Sequence, residues 1–163
     1  MNIFATSPCP IESAEYLDDI RATKMTLETA QLLATAINEH GGQATYKTTH
    51  RNHPVAIWAR QTRSNYLWLL RHLEALCDRF ERYRGKPHKC SDFIKEYRQG
   101  AKYIPDGVQT EFANCAQNKS VGISFKDEHD VCSAYIKYLH ERWKRDTIKL
   151  TKYGKNICLK SIK

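Results

Sequence analysis

The sequence predicts an all-α fold, a single compact helical domain over residues 1–163 with a long irregular connection near residues 103–126 and a basic C-terminal tail. Three observations lead there. Apolar residues recur at three- and four-residue spacing over most of the chain, the interruptions fall at helix-stop signals (Gly41-Gly42, Gly85, Gly100), and no repeat or low-complexity segment appears. At 163 residues, 41% of them hydrophobic, the chain can bury a core without disulfide or metal support.

Taken in order, Glu12 or Ser13 begins a first helix, which Leu17, Ile20, Leu27, Leu32, Leu33 and Ile37 sustain to about His40. Gly41-Gly42 stops it. A polar loop runs from Gln43 to His53, and Pro54 suits the first position of the next helix, with Asn52 or His53 near its cap. From Val55 to Arg84, Trp58, Tyr66, Leu69, Leu70, Leu73, Leu76, Cys77 and Phe80 keep helical spacing, with an interruption expected at Ser64-Asn65. This is the expected centre of the core. Gly85-Lys86-Pro87-His88 forms a turn, Ser91 caps a short helix to about Gln99, and Tyr103 to Lys126 has no sustained period, either connecting helices or closing over a ligand. From Asp127 or Asp130, the pattern Val131, Ala134, Tyr135, Tyr138, Leu139, Trp143 makes a last amphipathic helix before the lysine-rich tail.

The six cysteines are scattered without a CxxC pair, and Cys77 and Cys132 fall in apolar helical patterns, where reduced thiols pack as small hydrophobes. This points to a reducing, cytoplasmic setting. No apolar run approaches the roughly 20 residues of a membrane span, and the first residues lack the basic flank and apolar core of a signal peptide, so no membrane partner is expected. Nothing in the sequence sets an oligomeric state.

Net charge is +8, unevenly spread. Residues 1–41 carry only Arg21 and Lys24 against six acids, whereas residues 42–104 hold thirteen cations against five acids and residues 128–163 nine against four. Such an excess suits a polyanion, because neutralising each phosphate releases a counterion.

Several groups of residues are candidates for chemistry. Arg21, Lys24, Glu28 and Gln31 follow at spacings of three, four and three, so one helix face presents cations, a carboxylate and an amide in line. The row reads either as a site or as a solvated face with a Lys24–Glu28 pair. The loop His50-Arg51-Asn52-His53 precedes a helix start, where free backbone N–H groups and the dipole favour an anion such as phosphate. The same side chains also suit capping. His50 and His53 lack further ligands at zinc spacing, so no metal and no cofactor is expected.

Arg60 belongs to a series with Arg63, Arg71, Arg79, Arg82 and Arg84, interleaved with Trp58, Tyr66 and Trp68, and Lys86 lies in a compact cationic turn. Guanidinium forks suit phosphates and aromatic faces suit unstacked bases, although Trp58 and Tyr66 fit the core better and Trp68 stays open. In the tail, Tyr153 stands between Lys152 and Lys155, where it could lie along a bound strand. Finally, an α-amine at Met1 or Asn2 has a lower pKa than lysine and attacks carbon at neutral pH if a pocket holds it.

The order of these features resembles the phage pyrimidine-dimer DNA glycosylases of the endonuclease V type. Those small basic all-α enzymes carry an essential glutamate on the first helix, a long central helix, and an aromatic, lysine-rich segment near the C-terminus. Glu28 in Asp19-Ile-Arg21-Ala-Thr-Lys24-Met-Thr-Leu-Glu28 matches that glutamate, Tyr153-Gly154-Lys155 looks like the closing segment, and His53 to Lys86 matches in pattern.

The resemblance implies attack of the α-amine on the sugar C1′, loss of the base, an imine, and strand cleavage by β-elimination, with Glu28 stabilising the cationic sugar and moving protons. It also implies base flipping, with Arg21, Lys24 and the Arg51–His53 loop on phosphates. The family's amine belongs to a small residue, whereas Asn2 follows Met1 here, and Gln31 stands where the family tends to have arginine. Lys24, one turn from Glu28, is a substitute nucleophile. The expected function is thus DNA base excision, an N-glycosylase with AP-lyase activity in prospect, on a damaged or modified pyrimidine in duplex DNA. Two alternatives stand beside it: an enzyme acting on a free nucleotide or nucleotide signal, and a noncatalytic nucleotide or nucleic-acid binding module.

Overall fold

The computed structural model describes residues 1–146, ordered as α1 (Pro10–Tyr16), α2 (Asp19–Glu39), α3 (Pro54–Gln61), α4 (Arg63–Arg84), α5 (Ile94–Gly100), β1 (Gln117–Asn118), β2 (Ile123–Ser124) and α6 (Val131–Arg145), with short 3-10 turns between. The apolar periodicity is realised as helices, and α4 packs against α1, α2 and α3 at the centre.

The single helix expected from Glu12 or Ser13 to His40 is in fact two. Leu17 and Asp18 are extended, and Asp18 caps α2 by accepting the Arg21 N–H at 2.9 Å. Its other oxygen takes the Arg21 guanidinium at 2.6 Å and the Trp143 indole N–H at 2.7 Å. Burial works against that carboxylate, but these donors outweigh it and hold its pKa below the usual value. The C-terminal carbonyls of α1 are satisfied from α4: the buried Arg79 donates to the Ala14 and Leu17 carbonyls, each at 2.5 Å, and pairs with Asp19 at 3.5 Å. Apolar spacing runs straight through this break because its causes lie far along the chain.

The interruption of the central helix falls at Thr62, two residues before the expected position. Thr62 is extended, ends α3 and caps α4 through the Asn65 N–H at 3.2 Å. Asn65, fully buried, then fastens the following connection: its Nδ2 donates to the Trp58 carbonyl (2.9 Å) and to Thr110 Oγ1 (2.8 Å), while its Oδ1 accepts the Thr110 N–H (2.9 Å). Trp58 and Tyr66 lie in the core as expected, and Trp68 joins them, 5.8 Å edge-on from Trp58 and 4.9 Å from Phe112.

Lys89–Phe93 forms a 3-10 turn ahead of α5, so the short helix starts later than Ser91 and ends on Gly100. A Cβ on Gly100 would lie 2.2 Å from Ile37 Cδ1, so glycine is what lets α5 approach α2. The connection over 103–126 is irregular as expected, except that β1 and β2 pair antiparallel, Gln117 with Ser124 and Asn118 with Ile123. Among the described residues no helix is long and apolar enough to cross a membrane, and no three His, Cys, Asp or Glu side chains form a metal-binding group.

Candidate active site

Helix α2 carries Lys24 and Glu28 on successive turns, and the helical spacing brings Lys24 Nζ to 3.6 Å from Glu28 Oε1. Lys24 is 70% exposed in its side chain, whereas Glu28 is only 14% exposed. What covers the glutamate is the head of the chain. The Met1 ammonium stands 3.8 Å from Glu28 Oε2, and the Asn2 backbone N–H donates to the same oxygen at 2.9 Å.

This placement is built by ordinary local forces. Ile3, Phe4, Ala5 and Thr6 are buried, so the first residues are a packed strap rather than a loose end. The Phe4 ring stacks on Tyr138 of α6 at 5.8 Å and meets Tyr135 edge-on at 5.9 Å. Reaching that position forces Phe4 to a φ of 46°, and Asn2 supports the turn by accepting the Ile3 and Phe4 N–H groups on its Oδ1 at 2.8 and 3.2 Å. Asn2 Nδ2 donates to the Cys115 carbonyl at 3.2 Å, tying the strap to the segment that leads into β1.

Around Glu28 and the amine lies an open cleft of about 520 Å³, within the range of roughly 300–1,000 Å³ usual for ligand sites. Met25, Phe4 and Tyr138 give it apolar lining, while His53, Pro54, Gln117, Asn118 and Lys126 complete its rim. His53 caps α3 by accepting the Val55 N–H on Nδ1 at 3.3 Å, which leaves the proton of the neutral ring on Nε2. Burial first, then the Met1 ammonium and His50, lower its pKa, against the opposing pull of Glu28. Burial likewise raises the Cys115 thiol, which stays protonated.

A second groove of about 560 Å³ lies between α1 and α4, lined by Ile11, Glu15, Arg71, Glu74, Ala75, Asp78 and Arg82, and it holds no group suited to attack carbon. The candidate active site is the cleft at Glu28.

The structure therefore brings Met1, Asn2, Lys24, Glu28 and His53 together. Other candidate residues lie elsewhere. Arg21 is 12% exposed in its side chain, donating to Asp18 and to Asp146 at 2.8 Å, and so is engaged away from the cleft. Arg51 pairs with Glu39 at 2.8 Å, and Arg60 donates to the Arg51 carbonyl at 2.6 Å. His50, with a φ of 48°, and the exposed Asn52 shape the loop leading to α3, and neither lines the cleft. Gln31 and Lys86 are not in its lining either, and Tyr153 lies outside the described residues. Sequence reasoning did not single out Phe4, Tyr138, Gln117, Asn118 or Lys126. The apolar spacing marks Tyr138 as core, but nothing local marks the hairpin residues.

No curated protein and no solved structure matches the chain significantly. The family model for pyrimidine dimer DNA glycosylase matches residues 1–94, which contain Met1, Asn2, Lys24, Glu28 and His53 and make up more than half of the chain. A basic, mostly helical chain with a helix-borne glutamate against an amine, matched over that span, belongs to the pyrimidine dimer DNA glycosylase family.

Proposed function

We propose that the protein excises a damaged pyrimidine from duplex DNA and then nicks the strand, using the α-amine at the head of the chain as nucleophile and Glu28 as its partner. The observation that carries this reading is the clustering of two amines on one carboxylate: the Met1 ammonium 3.8 Å from Glu28, Lys24 on its other oxygen, and the Asn2 nitrogen 2.9 Å away. Were Met1 removed in the cell, the Asn2 nitrogen would itself be the amine, already within hydrogen-bond reach of Glu28. Either processing state presents an α-amine to the same cleft.

The amine, once deprotonated, bonds to C1′ as the C1′–N1 bond breaks and its electron pair leaves with the pyrimidine, which takes up a proton. Glu28 offers a negative charge where positive charge develops on the sugar, and it takes the proton that the nitrogen sheds and returns it to O4′ as the C1′–O4′ bond breaks and the ring opens to an imine. The His53 Nε2–H is a donor available to the departing base. Loss of a C2′ proton then expels the 3′ phosphate, cleaving the strand and leaving the sugar on the amine until water releases it. The net charge of +8 supplies the non-specific grip on phosphates.

The test is borohydride trapping on ultraviolet-irradiated and abasic duplexes. A covalent protein–DNA adduct that peptide mapping places on the N-terminal residue is expected, and Glu28→Gln is expected to lower single-turnover excision by at least about a hundredfold while retaining duplex binding. An adduct mapped to Lys24 would reassign the nucleophile. No adduct on either duplex would refute the imine route.

A further inference from the structure

The cleft has two walls of different origin. The wall with the amine, Lys24, Glu28 and His53 lies within residues 1–94, matched by the family, whereas Cys115, Gln117, Asn118 and Lys126 come from beyond that span. This second wall is held firmly. The Phe125 N–H donates to the Ala116 carbonyl at 2.9 Å, Ala116 and Ile123 are buried, and Asn114 Nδ2 donates to the carbonyls of Phe125 (3.0 Å) and Lys126 (3.3 Å). The Cys115 N–H donates to Tyr135 Oη at 3.1 Å, so the hairpin is anchored to α6, while the Asn2–Cys115 hydrogen bond ties it to the amine-bearing strap.

The groups on this wall are not equally free to meet a substrate. Asn118 Oδ1 already accepts from Ser120 N–H and Oγ–H at 3.1 and 2.6 Å, shaping the turn between the strands. Gln117 is half-buried and lines the cleft, its carboxamide has no hydrogen-bond partner among the described residues, and Lys126 has no ion-pair partner among them. The Lys126 charge is felt inside the cleft, where it disfavours protonation of His53 and favours ionisation of the Cys115 thiol.

We propose that the hairpin is the base-reading wall of the cleft, with the Gln117 carboxamide hydrogen-bonding the Watson–Crick edge of the target pyrimidine and Lys126 neutralising an adjoining backbone phosphate. This rests on the base-excision reading above. A carboxamide both donates and accepts, which matches the N3–H and neighbouring carbonyl of a thymine-type base. Saturation of C5 and C6 leaves that edge intact, so one glutamine serves damaged and undamaged rings of this type. The same carboxamide turned by about 180° matches the reversed pattern of cytosine, so the contact reads a pyrimidine edge without choosing between the two bases.

The experiment compares single-turnover cleavage of a thymine-dimer duplex and an abasic duplex by the wild-type chain, Gln117→Ala, Gln117→Glu and Lys126→Ala. An abasic site has no edge to read. Both Gln117 variants are therefore expected to lose about ten- to a hundredfold more on the dimer than on the abasic site. Lys126→Ala is expected to lower the slope of log affinity against log salt by about one. Equal loss on both duplexes, or no loss on the dimer, overturns the role of Gln117, and an unchanged salt slope overturns that of Lys126. A wild-type chain inactive on both duplexes would instead overturn the base-excision reading itself.

Discussion

Replacing Asn2 by leucine removes three hydrogen bonds while keeping the branching and the number of side-chain heavy atoms, and leucine is large enough to leave methionine processing as it is. The lost contacts are the Ile3 and Phe4 N–H groups on Oδ1, at 2.8 and 3.2 Å, and the Nδ2 donation to the Cys115 carbonyl at 3.2 Å. At roughly 0.5–1.5 kcal/mol each they sum to roughly 1.5–4.5 kcal/mol. Two of the three are long, and a terminal strap can open to let water take over the freed groups, so the expected cost is about 1–2 kcal/mol. For a chain of this size that lowers Tm by roughly 2–8 °C. The effect on activity should be disproportionate. A misplacement of about 1 Å in a reacting group costs up to about a hundredfold, and Asn2 is what fixes the head of the chain between Glu28 and the hairpin. Calorimetry and single-turnover cleavage of an abasic duplex measure the two effects side by side. A variant with lowered Tm and unchanged cleavage rate would refute the idea that the strap positions the nucleophile.

Arg79→Leu leaves the Ala14 and Leu17 carbonyls without their buried donor and strands Asp19; urea denaturation should show a loss of roughly 3–5 kcal/mol, and a loss under about 1 kcal/mol would contradict the capping role. Burial pushes the His72 pKa down to about 4 while its ring hydrogen-bonds the Pro10 carbonyl. The unfolded chain, titrating near pH ~6.5, takes the proton first on acidification. Its contribution is therefore complete above about pH 6.5 and declines toward pH 4 by up to about 1.4 kcal/mol per unit. His72→Asn should flatten this part of the stability profile, and an unchanged slope would assign it to other groups. Burial raises the Cys77 thiol to about 12 and Cys132 to about 11, so iodoacetamide at pH 8 should label both far more slowly in the native chain than in urea; equal rates would show that neither is protected.

The parts of the molecule that were legible in the sequence are those whose causes are local. Helical spacing located α4 and α6 and put Lys24 beside Glu28, because positions four apart on a helix must meet. Pro54 and His53 marked the start of α3 for the same reason. The split between α1 and α2 was not legible, since Arg79 and Trp143, which stabilise it, stand 62 and 125 positions away from Leu17 and Asp18. Arg21 looked like a free cation for a similar reason: its partner Asp146 is 125 residues on. The hairpin wall escaped notice because two strands of two residues carry no period, and their place is set by Ala116, Ile123 and Asn114 packing and bonding at long range.

The tie between Asn2 and Cys115 also orders events during synthesis. It spans 113 positions, so at roughly 5–20 residues per second the head of the chain waits roughly 6–23 s on the ribosome before its clamp is made. Tyr138, on which the Phe4 ring rests, arrives later still. Throughout that interval the chain carries both amine and carboxylate without the frame that joins them. A half-made protein is thus expected to lack the proposed excision activity, which would arrive only as the last described helix closes over the first residues.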